Sequence, residues 1–143
     1  MALTAAVERE FEGEIEMHEA ACAGNDTFFR GAMLMYDSNG YVAVPSDSAA
    51  LFFAGVYTGK AANGVSDYAY AVAASSYPKL QLATGKIWIP FSGAAQSDVG
   101  ELFYVSDDAT LTQTAGSKTV SYLCVGFKTG YVLIDFRHPD RIA

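Results

Sequence analysis

The sequence is poor in the residues on which most metal and redox sites depend. Among 143 residues there are two cysteines and two histidines, and Cys22 and Cys124 lie far apart without forming a CxxC pair. This spacing excludes a zinc knuckle and a dithiol redox site. We interpret both thiols as buried core residues, although the sequence also allows a single disulfide between them.

Recognisable catalytic motifs are missing too. His18 and His138 belong to neither an HExxH nor an HxH pattern, and no GxSxG, GxGxxG or GxxxxGKS stretch occurs. The acidic stretches 37–39 and 106–108 lack the spacing of a calcium loop, and turn formation explains them better. We therefore predict that the protein is not an enzyme, has no catalytic or metal-binding residues and needs no cofactor.

Positive charge and long apolar runs are also scarce. Nine Lys and Arg against sixteen Asp and Glu give a formal net charge of −7, and without a basic cluster the chain lacks the footprint of a nucleic-acid-binding groove. No run reaches the roughly 20 apolar residues of a membrane-spanning helix. The acidic start has the wrong sign for a signal peptide. We expect neither a nucleic acid nor a membrane as partner, and synthesis in the cytosol.

Apolar and aromatic residues, by contrast, are abundant. Hydrophobic residues make up 51% of the chain and aromatic residues 13%, which suffices for one packed core in a chain of single-domain length. The aromatic surplus fits either core packing or contacts with neighbouring subunits. Glutamate occupies every even position from Glu8 to Glu16, and Phe11, Ile15 and Met17 lie at odd positions. This period of two predicts a half-buried strand.

Further apolar segments, separated by Gly, Ser, Asp or Asn, predict more short strands. They are 28–36, 41–44, 51–57, 68–73, 86–91, 101–105, 119–127 and 131–136. Asn39-Gly40 predicts the tight turn of a β-hairpin, and Lys128-Thr129-Gly130 closes the last hairpin. The stretch 61–82 fits either a strand with a loop or a short helix. The spacing predicts an all-β fold, a small antiparallel β-barrel or sandwich.

A weak internal repeat connects two parts of the chain. Gly31-Ala-Met-Leu-Met-Tyr-Asp followed by Gly55-Val-Tyr-Thr-Gly59 parallels Gly100-Glu-Leu-Phe-Tyr-Val-Ser-Asp followed by Gly126-Phe-Lys-Thr-Gly130. Either two similar antiparallel units stack about one core, with Gly55 and Gly126 at matching places, or two unrelated hairpins share turn residues.

Several segments, taken in order, resemble a family of tailed-phage capsid decoration (cement) proteins. They are Phe29-Arg30-Gly31-Ala32-Met33-Leu34, Asn39-Gly40-Tyr41-Val42, Gly55-Val56, 98–108 with Thr110-Leu111-Thr112, Val125-Gly126 and Tyr131-Val132-Leu133-Ile134. The resemblance covers the chain from Phe28 to Phe136. The segment 61–76 departs from it by being longer than the family leads us to expect.

The resemblance implies a small β-barrel that assembles, often as a trimer, on the outer surface of an icosahedral head. Residues 1–12 would form an extended N-terminal arm and residues 13–143 a single decoration domain. The implied function is structural: the protein binds the outside of the capsid and cements neighbouring major capsid subunits against the pressure of packaged DNA. The implied partners are the major capsid protein and further copies of this chain, in the virion.

Two surfaces are candidates for these contacts. The candidate capsid and oligomer contacts are Glu8, Glu10, Phe11, Phe28, Phe29 and Arg30. The N-terminal segment is expected to dock by adding a strand to a capsid partner. Its acidic face fits equally a solvated strand edge that prevents unwanted pairing.

A tail, baseplate or adhesion β-barrel that binds carbohydrate or another virion protein is the alternative, because Tyr and Trp side chains stack on sugar rings. A cupin-type enzyme is disfavoured, because two isolated histidines cannot supply its metal site.

Overall fold

The computed structural model describes residues 3–24, 26–46, 52–61, 69–73 and 76–141. Within these ranges the chain forms eleven β-strands and one short 3₁₀ turn, Gln96–Asp98. The strands are β1 (Glu10–Ala21), β2 (Asp26–Phe29), β3 (Met33–Tyr36), β4 (Val42–Ala43), β5 (Phe53–Ala61), β6 (Ala69–Val72), β7 (Lys79–Pro90), β8 (Leu102–Val105), β9 (Leu111–Thr112), β10 (Val120–Lys128) and β11 (Tyr131–Arg141). The predicted all-β class is confirmed. No described helix is long and apolar enough to cross a membrane.

Nine of these strands form one antiparallel sheet that curls into a half-barrel. Its order is β4-β3-β5-β7-β11-β10-β8-β9, with β1 also paired to β7, while β2 and β6 form a separate two-stranded sheet. The strand β1 follows β7 from Lys79 to Trp88. Because a strand has only two edges, β5 and β11 share the other edge of β7. The strand β5 pairs with the first part of β7, and β11 pairs with the last part of β7.

The sheet order supports the interpretation of the repeat as two similar units. The series β4-β3-β5-β7 is matched by β9-β8-β10-β11, and the two halves join where β7 pairs with β11. The repeat glycines lie at equivalent close approaches: an added Cβ on Gly55 would lie 2.8 Å from Leu82 Cβ in β7, and one on Gly126 would lie 3.1 Å from Leu133 Cβ in β11.

Buried side chains form two clusters on opposite faces of the sheet. The first includes Met33, Val56, Ile87, Phe103, Tyr122 and Ile134, and the second includes Cys22, Phe28, Leu34, Tyr57, Leu80 and Leu82. Neighbouring residues of one strand belong to different clusters, because successive side chains of a strand point to opposite faces of the sheet. Cys22 and Cys124 are free and lie in different clusters. Burial raises the pKa of the Cys22 thiol to about 11, so it is protonated at neutral pH.

The strand β1 confirms the period-of-two prediction and adds a bulge. Its register against β7 shifts between Glu12 and Ile15, where Gly13 takes a positive φ of 72°. The predicted boundary between an arm and a barrel domain falls at this bulge, and the division itself stays a prediction. The half-buried expectation is wrong for Ile15 and Met17, which are 48% and 60% exposed, because they lie opposite the small residues Gly85 and Ala83.

Two other segments differ from the prediction. The run 28–36, expected as one strand, is divided by a turn at Gly31, so that β2 and β3 belong to different sheets. The strand β7 begins at Lys79, within the stretch 61–82 whose type was open, and β6 covers Ala69–Val72 in the same stretch. Residues 62–68, 74 and 75 lie outside the described residues.

Both predicted hairpins are confirmed. The strands β3 and β4 pair across Asn39-Gly40, and Gly40 has a φ of 84°. Asp37 fixes this turn, because its Oδ1 accepts hydrogen bonds from the backbone N–H groups of Asn39 and Tyr41, each at 2.9 Å. The strands β10 and β11 pair across residues 128–131.

Candidate interaction surface

The residues before β1 run along the turn between β2 and β3. The Val7 N–H donates a hydrogen bond to the Arg30 carbonyl at 2.9 Å, and Arg9 Nε donates to the Gly31 carbonyl at 2.8 Å. Gly31 has a φ of 89°, and an added Cβ there would overlap the Val7 carbonyl oxygen. A glycine is therefore needed for the segment 3–9 to lie this close to the turn.

A buried carboxylate holds the beginning of this segment. The Leu3 N–H donates to Asp108 Oδ1 at 2.7 Å. Burial raises the pKa of Asp108, and the bond from Leu3 and the charge of Arg9 oppose this rise. Burial also lowers the pKa of Arg9, whose Nη2 is buried without a hydrogen-bond partner among the described residues.

We expect the Asp108→Asn variant to be at least as stable as the wild type at neutral pH. A carboxyl whose folded pKa is raised stabilises the fold most when protonated, below its unfolded pKa, and that contribution is lost as pH rises through the folded pKa. Asparagine removes the charge and keeps an oxygen to accept the Leu3 N–H. Urea unfolding at neutral pH and at about pH 3 measures the effect. The difference in free energy of unfolding between the variant and the wild type should disappear in acid. A variant clearly less stable than the wild type at neutral pH would contradict this account of Asp108.

The first part of β1 carries an acidic face that is matched by a cation and two aromatic rings. Lys128 Nζ lies 2.6 Å from Glu10 Oε1, 4.5 Å from the centre of the Trp88 ring and 5.2 Å from that of Tyr131. The Trp88 Nε1–H donates to Glu12 Oε1 at 3.1 Å. The charge at this end of the face is thus paired within the chain.

The second part of β1 is more strongly negative. No hydrogen bond or salt bridge within the described part of the chain engages the carboxylates of Glu14, Glu16 and Glu19. Hydrogen bonds to Asp135, with Arg137 Nε 2.9 Å from Oδ1 and Nη2 3.0 Å from Oδ2, are the main cause of the raised pKa of Arg137. The charges of Glu14 and Glu16 add to this rise, but the Arg137 guanidinium is paired with Asp135. This end of the face therefore keeps net negative charge.

The opposite face of β1 borders an apolar groove between β1 and β5. The groove has a volume of about 150 Å³. Its apolar lining includes Val7, Phe11, Ile15, Met17, Val56 and Tyr57. Phe11 packs against the first core cluster, whereas Ile15 and Met17 are largely exposed. The structure thus leaves apolar surface open next to the acidic strand.

The two surfaces proposed from the sequence adjoin each other in the structure. Glu8, in the predicted N-terminal contact segment, forms an ion pair with Arg30, in the predicted contact at residues 28–30. Glu10 is exposed, Phe11 and Phe29 are half-buried, and Phe28 is fully buried in the second cluster. Any effect of Phe28 on an interface would therefore be indirect. The role of these six residues as contacts stays a prediction.

Trp88, Lys128 and Tyr131 were not predicted at this surface, because only strand pairing brings them to Glu10. No group of three or more His, Cys, Asp or Glu in the described ranges is placed to hold a metal. His18 Nε2 lies 3.3 Å from the Tyr36 hydroxyl, and the side chain of His138 lies outside the described residues.

Phe28 and Arg30 should respond very differently to substitution. We expect Phe28→Ala to lower the free energy of unfolding by about 3–5 kcal/mol, because it leaves a cavity in the second cluster. Arg30→Ala should cost under about 1 kcal/mol, because its partner Glu8 is highly exposed. Urea unfolding measures both, and similar losses for the two variants would contradict the placement of Phe28 in the core.

The fold has a counterpart among solved structures. No protein-family model and no curated protein matches the chain. A chain of the capsid of Myoviridae phage XM1 superposes with a TM-score of 0.53 and 14% sequence identity, over 94% of this chain and 90% of that chain. This fold is found in a phage capsid. The likeness spans nearly all of both chains, so it concerns the whole fold rather than a single hairpin.

Proposed function

We propose that the protein is a non-enzymatic structural component of a phage head that binds the outside of the assembled capsid and cements neighbouring major capsid subunits. The observation that carries the proposal is the fold shared with a chain of a phage capsid. The family resemblance of the segments from Phe28 to Phe136 supports it independently.

The fold suits a mechanical role. Two apolar clusters, one on each face of the sheet, resist local opening. A protein that contacts two capsid subunits adds interfaces, each of roughly 1,600 Å² if of standard size, that must separate before the shell opens. Binding only to the closed shell stabilises that state by mass action.

We further propose that the protein acts as a homotrimer on the shell. An apolar patch on the outer face of β8 and β10 supports self-association: Leu102 and Leu123 are paired neighbours, 37% and 40% exposed, and Val125 is 37% exposed. Light scattering of the purified protein tests this, with a mass of three chains expected and a mass of one chain against it.

The test of the proposed function uses heads of the source phage assembled without this protein. We expect the purified chain to sediment with these heads, to saturate at a simple ratio to the major capsid protein, and to raise the temperature at which the heads open. No co-sedimentation, or unchanged opening with the protein bound, would contradict cementing.

An adhesion module that binds carbohydrate is the second candidate. Tyr41 and Tyr77 stack with ring centres 4.6 Å apart and planes at 17°, and Tyr77 is 51% exposed. Such a pair offers an aromatic surface for a sugar ring. Binding to a glycan array, together with a few copies per particle, would favour this function over cementing.

A further inference from the structure

The strand β1 has one edge without a strand partner. Within the described ranges, β1 pairs with β7 alone, and no backbone hydrogen bond to another described segment leaves its other edge between Glu10 and Ala21. Such an edge presents backbone N–H and C=O groups that another extended segment can pair with. At twelve residues, β1 shares with β7 the greatest length of the eleven described strands.

The side chains along this edge have two chemistries. Glu16 lies opposite Thr84 on one face, and Ile15 and Met17 lie opposite Gly85 and Ala83 on the other. Protection against unwanted pairing explains the glutamates but not two exposed apolar side chains beside an open groove. The combination is typical of a surface that selects a partner by charge and holds it by apolar contact.

Charge also argues against a second copy of this chain as the strand that pairs with the free edge of β1. Two β1 strands paired edge to edge would bring glutamates close to glutamates, and like charges at facing positions are destabilising. A segment in which Lys or Arg alternates with apolar residues would be complementary on both faces at once.

We infer that the free edge of β1 receives an extended segment of the shell protein, with Lys or Arg facing Glu14 and Glu16 and apolar side chains covering Ile15 and Met17. The inference rests on the proposed function and names the partner chemistry for it. Main-chain pairing supplies affinity, and the alternating side chains supply specificity.

Hydrogen exchange of the wild-type protein, free and bound to heads, tests the pairing directly. We expect amide exchange in Glu10–Ala21 to slow on binding, because the outward N–H groups gain acceptors. Binding with unchanged exchange in β1 would overturn this inference and leave the proposed function standing. Absence of any binding to heads would overturn the proposed function, and this inference with it.

A matched pair of variants tests the role of charge. Glu16→Lys and Glu101→Lys change the net charge equally at exposed positions, but Glu101 precedes β8 and lies outside β1. Because Glu101 adjoins Leu102 of the proposed trimer patch, both variants are compared at the oligomeric mass of the wild type, established by light scattering. We expect Glu16→Lys to weaken binding to heads by about tenfold or more and to reduce its salt dependence, whereas Glu101→Lys should bind nearly as the wild type. Equal effects of the two variants would count against a charge-selected β1 edge.

A second matched pair of variants tests the apolar contact. Met17→Ser should weaken binding at all salt concentrations, and Val99→Ser, at a 37% exposed site after the 3₁₀ turn, should not. Circular dichroism and thermal unfolding establish that each variant is folded. If the wild type dimerises and Glu16→Lys strengthens the dimer, a second copy of this chain is the partner of the free β1 edge, and the inference is overturned.

Discussion

Deleting residues 2–10 is expected to abolish binding to phage heads and to leave the β-sheet folded. The deletion removes the donors to the Arg30 and Gly31 carbonyls, which are Val7 N–H and Arg9 Nε, and one wall of the groove beside β1. It spares Phe11, and of the residues assigned to the two clusters it removes only Leu3. The lost hydrogen bonds, at about 1 kcal/mol each, are a small part of the stability of a domain this size.

Co-sedimentation with heads measures the effect, and circular dichroism establishes the fold. The Gly31→Val variant is the companion, because it keeps every residue of the segment but places a side chain against the Val7 carbonyl oxygen. We expect it to weaken binding as well. A truncated protein that binds as tightly as the wild type would show that residues 2–10 are not part of the capsid contact.

The second large effect is expected at Gly55. An alanine there would have a φ of 147°, which side chains rarely adopt, and its Cβ would lie 2.8 Å from Leu82 Cβ. Backbone strain and overpacking together should lower the free energy of unfolding by about 3 kcal/mol. The cause is that β5 and β7 approach each other closely at this point.

Two other glycines separate the contributions to this loss. Gly126→Ala meets Leu133 Cβ at 3.1 Å without a positive φ, and Gly93→Ala has a φ of 77° with no atom within 4 Å. Each should lower the free energy of unfolding by about 1 kcal/mol, Gly126→Ala through crowding and Gly93→Ala through backbone strain. Urea unfolding of the three variants gives the order, and a Gly55→Ala variant as stable as Gly93→Ala would contradict the close packing of the repeat.

Local sequence patterns predicted the elements that local physics determines. The alternation from Glu8 to Met17 identified a strand, and Asn39-Gly40 identified a hairpin, because strand period and turn conformation depend on neighbouring residues. The division of the run 28–36 between two sheets depends on Gly31 lying beneath Val7. Contact with a residue so distant in sequence leaves no mark in a local window.

The candidate surface was predictable in its parts and not in its arrangement. Glu8 and Arg30 were each identified, for separate reasons, and only the folded chain pairs them. Ile15 and Met17 follow the apolar period of a buried face, yet they are exposed because the residues opposite them are small. The surroundings of Lys128 depend on the pairing of β7 with β11, which periodicity does not specify.

Copy number in the virion tests the central claim most directly. Quantitative mass spectrometry of particles purified from the source gives the ratio of this chain to the most abundant shell protein. A cementing protein distributed over the head predicts a ratio near one, or a simple fraction of it. A few copies per particle, as for a vertex or tail protein, or complete absence from the particles, would contradict it.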